Sequence, residues 1–137
     1  MKKTYKAVLP RLHDIMTDID RFSKAHGIAG KWQYRLRLVA EELIVNIIHY
    51  AYPDTEGNVY MELGMQDNTM VKMVIINTGI KFNPLESAAP DISAPIDRRQ
   101  PGGLGIMMAQ TLASRINYQF RDKKNIITVF MEIAPDE

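Results

Sequence analysis

The segment that most constrains this fold is residues 31–51, which is apolar on almost every side when drawn as a helix. At about 100° per residue, one narrow stripe of that helix holds the polar side chains of Arg35, Glu42, Asn46 and His49. A helix with so little polar surface must be covered by other elements. Buried carboxylates and amides are costly without partners, so the stripe must contact polar protein groups, water in a cavity, or a ligand.

The remaining chain shows two different hydrophobic periods. Helical spacing predicts helices over residues 11–26 and 104–115, beside the one over 31–51. Alternation and β-rich composition predict strands over residues 3–9, 59–65, 70–77, 116–121 and 125–133. Turns are expected at Asp67–Asn68 and at Asp122–Lys123–Lys124. The order β-α-α-β-β-loop-α-β-β predicts an α+β fold, a two-layer sandwich of helices on one face of a mixed, mostly antiparallel sheet.

Composition excludes several classes of function. The 137 residues fit one domain, and 17 basic against 16 acidic residues leave a net charge of +1. That balance gives no reason to expect nucleic acid or an anionic membrane as a partner. The absence of cysteine excludes disulfides, thiol nucleophiles and zinc–thiolate sites. No signal peptide or membrane-spanning run is apparent, so a cytoplasmic, soluble protein is expected.

The region from residue 83 to residue 101 has no sustained period and contains four of the seven prolines. Connections of this length inside a compact domain are usually lids, binding loops or disordered segments.

Glu42 and Asn46 lie four residues apart, so they are neighbours on one helix face, whereas Glu41 points away and is expected to be solvated. One interpretation is an internal network in which Arg35 holds Glu42. The other places Mg²⁺ and phosphate against the stripe. In that case the Asn46 amide oxygen would be a suitable hard ligand, and Glu42 would act as a general base.

Two glycine-containing segments favour the second interpretation. In IINTGIKFNP, residues 75–84, a strand ends at Asn77, and Gly79 would let a flat ligand approach the backbone, although a plain turn would use the same residues. In PGGLGIMMAQTL, residues 101–112, the sequence Gly102–Gly103–Leu104–Gly105 precedes a helix. Free backbone N–H groups there would suit a polyphosphate, although helix entries often contain glycine.

These three motifs, in this order, resemble the N, G1 and G2 boxes of the GHKL ATPase superfamily. At this length the chain most resembles the bacterial anti-sigma factor serine-protein kinases, and the resemblance runs from about residue 10 to residue 133. It implies the histidine kinase-like ATPase (Bergerat) fold over residues 1–137, with residues 83–103 as a lid loop.

The resemblance also implies roles for the motif residues. Asn46 would ligate Mg²⁺ that bridges the phosphates of ATP, and Glu42 would accept the proton of a serine hydroxyl on a partner protein. Gly79 would let adenine lie at the strand end. Gly102, Gly103, Leu104 and Gly105 would bind the phosphates, with the lid closed over them.

Four further residues follow with less support from the motifs. Thr128 resembles the threonine near adenine in the family. Arg98 or Arg99 would contact the γ-phosphate from the lid, with a solvated basic pair as the alternative. His49 is expected to contact the site residues without contacting the ligand, or to have a structural role.

One residue departs from the family pattern. The G1 box normally supplies an aspartate that accepts a hydrogen bond from the adenine amino group, and here that position is Asn77. An amide oxygen can also accept from this group and its NH₂ can donate to a ring nitrogen, but affinity could fall by about one hydrogen bond, roughly 1 kcal/mol.

The leading hypothesis is therefore an ATP-dependent serine kinase that phosphorylates an anti-sigma-factor antagonist and sequesters a sigma factor. The alternative is a sequestering module of the same fold that binds nucleotide weakly or not at all. The catalytic part of a histidine kinase is less favoured, because residues 1–10 show no helix with a phosphoacceptor histidine. The resemblance also allows a homodimer.

Overall fold

The computed structural model describes residues 1–86 and 103–133. The helices are α1 (Leu12–Ala25), α2 (Gly30–Tyr50) and α3 (Gly103–Leu112), and the strands are β1 (Lys2–Lys6), β2 (Asn58–Asp67), β3 (Met70–Asn77), β4 (Arg115–Arg121) and β5 (Lys124–Glu132). Short 3₁₀ helices span Leu9–Arg11 and Pro84–Glu86. The predicted element order and the two-layer α+β architecture are confirmed.

The five strands form one open sheet in the order β1-β2-β3-β5-β4, and every neighbouring pair is antiparallel. Alternate side chains of the three central strands are buried on one face, among them Met61 of β2, Met73 of β3 and Val129 of β5. This period of two gives the sheet one apolar face for the helices to cover. At the end of the β3–β5 ladder, Asn77 lies directly opposite Asn125.

Helix α2 is the central element of the helical layer, because it packs against both α1 and α3. Its side chains Leu36, Val39, Leu43 and Ile44 are almost completely buried. Helix α1 contributes a narrower apolar face that includes Ile15 and Ile19, as its helical spacing predicted.

Several element ends differ from the sequence-based expectation. Strand β1 ends at Lys6 rather than residue 9, because Leu9–Arg11 with its proline forms a 3₁₀ turn. Helix α3 ends at Leu112 rather than residue 115, because the backbone N–H of Ser114 already donates to Phe130 O of β5 at 2.8 Å.

Both predicted hairpin turns are present. The β2–β3 turn is closed by Asp67, whose Oδ1 accepts the backbone N–H of Thr69 at 2.7 Å. The β4–β5 turn has two residues with positive φ, Asp122 at 53° and Lys123 at 61°, which match the twist of adjacent strands. Among residues 1–86 and 103–133, no helix has the length and apolar content needed to cross a lipid bilayer.

Candidate functional site

Asn46 is held by the helix that carries it. Its side chain is only 4% exposed, and Nδ2 donates to the backbone carbonyl of Glu42, one turn earlier, at 2.7 Å. This bond fixes the orientation of the Asn46 amide, because a carbonyl oxygen can accept a hydrogen bond only from the NH₂ end. The Asn46 Oδ1 atom accepts no hydrogen bond from any described residue and is left as an acceptor.

Glu42 has no hydrogen bond or ion pair with another described residue. The Arg35 guanidinium instead lies over the Trp32 ring, with its central carbon 4.9 Å from the ring centroid. The interpretation in which Arg35 holds Glu42 is therefore wrong. Burial, and then the negative charge of Glu41, raise the pKa of Glu42. A carboxylate whose pKa is raised in this way is a better proton acceptor than a fully solvated one.

The first turn of α3 lies directly against the Glu42 carboxylate. A Cβ atom built on Gly105 would overlap that carboxylate and would lie 3.1 Å from Glu42 Cγ. The residue at position 105 therefore has to lack a side chain if Glu42 is to keep its position. The start of α3, where backbone N–H groups lack helical partners, is thus brought beside Glu42, which lies one turn of α2 before Asn46.

The turn after β3 is packed against the end of α2. A Cβ on Gly79 would lie 2.6 Å from the Ala51 carbonyl carbon, 2.7 Å from the Ala51 Cβ, and closer still to the carbonyl oxygen. The next residue, Ile80, donates its backbone N–H to Ala51 O at 2.9 Å. The need for glycine at position 79 is therefore explained by close backbone packing.

Asn125 joins the candidate site through Asn77, and the sequence did not identify it. It is 1% exposed, and its Nδ2 donates to Asn77 Oδ1 at 3.0 Å and to Ile80 O at 2.9 Å. Its Oδ1 accepts the Phe82 backbone N–H at 3.0 Å and the Tyr118 hydroxyl at 2.6 Å. The available signal was its position in the alternation Asn125, Ile127, Val129 and Met131, where it is the one polar member.

Thr128 does not lie beside Asn77 and Asn125. Residues 125, 127, 129 and 131 of β5 are buried, and Thr128 lies on the opposite face of the strand. In the ladder it stands between Val74 and Asn117. His49 is also apart from the polar pair of α2: it is exposed, and its ring centroid is 6.2 Å from that of Tyr50.

The predicted lid lies only partly within the described residues. Its first residues form the 3₁₀ helix Pro84–Glu86, in which Pro84 is buried and Asn83 Oδ1 accepts the Leu85 N–H at 2.9 Å. Arg98, Arg99 and Gly102 lie outside the described residues. The backbones of Gly103 and Leu104 belong to α3.

The donor set of the candidate site is compatible with Mg²⁺. Within residues 1–86 and 103–133, no three acidic or histidine side chains cluster in a way that could hold a metal. Mg²⁺ typically takes few protein ligands, and it keeps waters and phosphate oxygens in its remaining positions. A single amide oxygen such as Asn46 Oδ1 suits that mode of binding.

Comparisons with known proteins identify the family of this fold. A family model described as a histidine kinase-like ATPase domain matches residues 6–131. The serine/threonine-protein kinase BtrW of Bordetella bronchiseptica is 29% identical over 115 residues, which cover 80% of each chain. The serine-protein kinase RsbW of Bacillus cereus is 30% identical over 84 residues, which cover 59% of this chain and 52% of that relative.

The fold itself recurs in solved structures. A crystal structure of the RsbU and RsbW domains of Rv1364c from Mycobacterium tuberculosis aligns with 99% of this chain and 33% of that one, with a TM-score of 0.68 and 11% sequence identity. At that identity the likeness concerns the fold alone, whereas the family model spans nearly the whole sequence. The chain belongs to the histidine kinase-like ATPase domain family.

Proposed function

We propose that this protein is a nucleotide-dependent serine kinase, with ATP as the family's phosphoryl donor, that phosphorylates an anti-sigma-factor antagonist and sequesters a sigma factor. The kinase part is supported by two relatives that are named serine or serine/threonine protein kinases. The sigma factor and its antagonist follow from the resemblance of the three motifs to the anti-sigma factor kinases.

The observation that carries this proposal is the arrangement of Glu42, Asn46 and Gly105. A carboxylate without an ion-pair partner lies against the first turn of α3, one helical turn from an amide whose oxygen is left as an acceptor. A purely structural carboxylate in a half-buried position would be expected to have a cation or donor nearby, because the charge is otherwise costly. The Glu42 carboxylate makes no hydrogen bond or ion pair with any described residue.

Each residue then has a distinct role. Bound ATP with Mg²⁺ would supply the γ-phosphoryl group. Asn46 Oδ1 would ligate the Mg²⁺, and the start of α3, with Gly103 and Gly105, would face the phosphates. Glu42 would accept the proton of the substrate serine while the serine oxygen forms its new bond to phosphorus and ADP leaves. The raised pKa of Glu42 helps it to take that proton.

A second candidate is a sequestering module without phosphotransfer. It is favoured by Asn77, which stands where the family has an aspartate and whose Oδ1 is already engaged by Gly79 and Asn125. A weakened contact with the base would lower nucleotide affinity without affecting a protein-binding surface.

Calorimetric titration with ATP and ADP, with and without Mg²⁺, tests the proposal first. Wild type should bind ATP in an Mg²⁺-dependent manner, and Asn46→Ala should lose that dependence. Asn117→Ala, an exposed asparagine on β4, is the matched control and should bind as wild type. If no nucleotide binds at millimolar concentration, the kinase proposal fails.

Glu42→Ala separates the two candidates. Incubated with an antagonist protein from the same organism and radiolabelled ATP, the variant should retain partner binding and lose phosphate transfer. If wild type and Glu42→Ala are equally unable to label the antagonist but both bind it, the sequestering module is correct.

A further inference from the structure

The orientation of the Asn125 amide is fixed by backbone groups. Its Oδ1 accepts the N–H of Phe82, and its Nδ2 donates to the carbonyl of Ile80. A backbone N–H can only donate and a carbonyl can only accept, so the reversed amide would face two like groups. Asn125 Nδ2 is therefore the group that faces Asn77.

The orientation of Asn77 is fixed in the same way. Its Oδ1 accepts the backbone N–H of Gly79 at 3.0 Å and the Asn125 Nδ2 at 3.0 Å. Two donors thus occupy the acceptor capacity of this oxygen.

The NH₂ group of Asn77 donates to no described residue. The fully enclosed polar atoms without a partner, within the described ranges, are Ser23 Oγ and Arg37 Nε, so Asn77 Nδ2 is not sealed in the core. At this position the protein offers a hydrogen-bond donor.

In the family, the residue at this position contacts the group at C6 of the base, and purine nucleotides differ in that group. Adenine carries an amino group at C6, which is a donor, whereas guanine and hypoxanthine carry a carbonyl oxygen, which is an acceptor. We propose that Asn77, held by Asn125 and Gly79, makes this site select 6-oxopurine nucleoside triphosphates over ATP. This inference rests on the proposed function, which puts Asn77 beside the base.

An aspartate at the same position would have the opposite preference. It could keep both accepted hydrogen bonds, from Gly79 and Asn125, and would replace the NH₂ donor with an acceptor oxygen. Asn77→Asp is nearly isosteric, so it replaces the NH₂ donor with an acceptor oxygen and adds one negative charge with little change in shape. Because that charge acts on all three nucleotides alike, the ratio of their affinities is the quantity to compare.

The test measures dissociation constants of Mg²⁺ complexes of ATP, GTP and ITP by calorimetry. Wild type should bind GTP and ITP on the order of tenfold more tightly than ATP, the effect of one hydrogen bond gained or lost. ITP lacks the 2-amino group of GTP, so its affinity isolates the group at C6. Asn77→Asp should reverse the order.

Tyr118→Phe is the control variant, because it removes one hydrogen bond from the Asn125 side of the network and leaves the polarity of Asn77 unchanged. It should keep the wild-type order of affinities.

Wild type that binds ATP more tightly than ITP overturns the inference and leaves the kinase proposal standing. The same holds if Asn77→Asp folds but keeps the wild-type ratio. If neither protein binds any of the three nucleotides, the inference and the proposed function both fail. The wild-type ratio is decisive even where a variant does not fold.

Discussion

Gly79→Ala tests the close packing between the turn after β3 and the end of α2. The backbone of Gly79 does not have a positive φ, since Gly27 is the described glycine that does. Alanine could therefore adopt its conformation, and the cost comes from contact alone. The new methyl group would overlap the carbonyl of Ala51, which is backbone and cannot rotate away as a side chain would.

The magnitude follows from two effects. Overpacking of this kind costs about 1–3 kcal/mol. If the turn moves away, the bond from Ile80 N–H to Ala51 O is lost, which costs about 1 kcal/mol more. The smaller entropy of the unfolded alanine chain returns about 0.5 kcal/mol. We expect a loss of about 1.5–3.5 kcal/mol, or roughly 5–12 °C in melting temperature for a chain of this size.

Thermal and urea unfolding, followed by circular dichroism, would measure this loss. Gly64→Ala is the matched control: it lies within β2, and a Cβ there has nothing within 4 Å. That variant should be as stable as wild type or slightly more stable. If Gly79→Ala has the same melting temperature as wild type, close packing is not the reason for glycine at this position.

Four further predictions concern Glu42 and its neighbours on one side of the candidate site, and Asn125 on the other. Burial and the charge of Glu41 raise the pKa of Glu42, so the rate of phosphate transfer should reach half its maximum at a higher pH than an ordinary glutamate would give. Glu41→Gln should lower the pH of this midpoint, and equal midpoints would contradict the role of Glu42 as the base. The raised pKa also means that protonated Glu42 stabilises the folded protein in acid and that this stabilisation is lost as pH rises through that pKa. Glu42→Gln should therefore have a higher melting temperature than wild type at pH 7, and the difference should disappear in acid. A difference that does not depend on pH would refute this. Gly105→Ala should displace the Glu42 carboxylate and slow transfer about 10–100-fold without unfolding the protein, and a wild-type rate would count against that contact. Tyr118→Phe should cost about 1 kcal/mol in urea unfolding, since the hydroxyl donates to Asn125 at 2.6 Å; no loss would mean the bond is not formed in solution.

Hydrophobic periodicity was sufficient to predict the element order, because the described helices and the three central strands each bury an apolar face. Strand β3 was predicted at its observed bounds, and β5 within one residue. Two ends were misplaced for different reasons: α3 stops early because Ser114 bonds to Phe130 of β5, and β1 stops early because Leu9–Arg11 forms a local 3₁₀ turn.

The placement of the candidate residues could be predicted where they are close in sequence. Glu42 and Asn46 share a helix face, and four-residue spacing is enough to show it. The pairing of Arg35 with Glu42 was wrong because seven residues along a helix are about 10 Å apart, and Trp32 is within reach of Arg35.

Asn125 and Thr128 show what the sequence could not provide. The partner of Asn77 is 48 residues away, and only the β3–β5 register brings it opposite. Thr128 was chosen by residue type, but its odd offset from Asn125 puts it on the other face of β5. Successive residues of a strand point to opposite faces of the sheet, so an error of one position places a side chain on the wrong face. Residue type alone therefore cannot identify which strand residue lies in a site.

The two halves of the site are joined through α2. This helix carries Glu42 and Asn46 in its middle, and at its end the Ala51 carbonyl receives the N–H of Ile80, next to the turn that holds Asn77. Asn125 fastens the same turn to β5. Glu42 and Asn46, which are proposed to face the phosphates, and Asn77, which is proposed to face the base, are therefore fixed on one frame. A nucleotide that contacts both groups would not have to order the protein between them. Such a frame would turn the polarity of one side-chain atom, Asn77 Nδ2, into a difference in affinity between bases, because the amide cannot rotate to present its oxygen without breaking the bonds from Gly79 and Asn125.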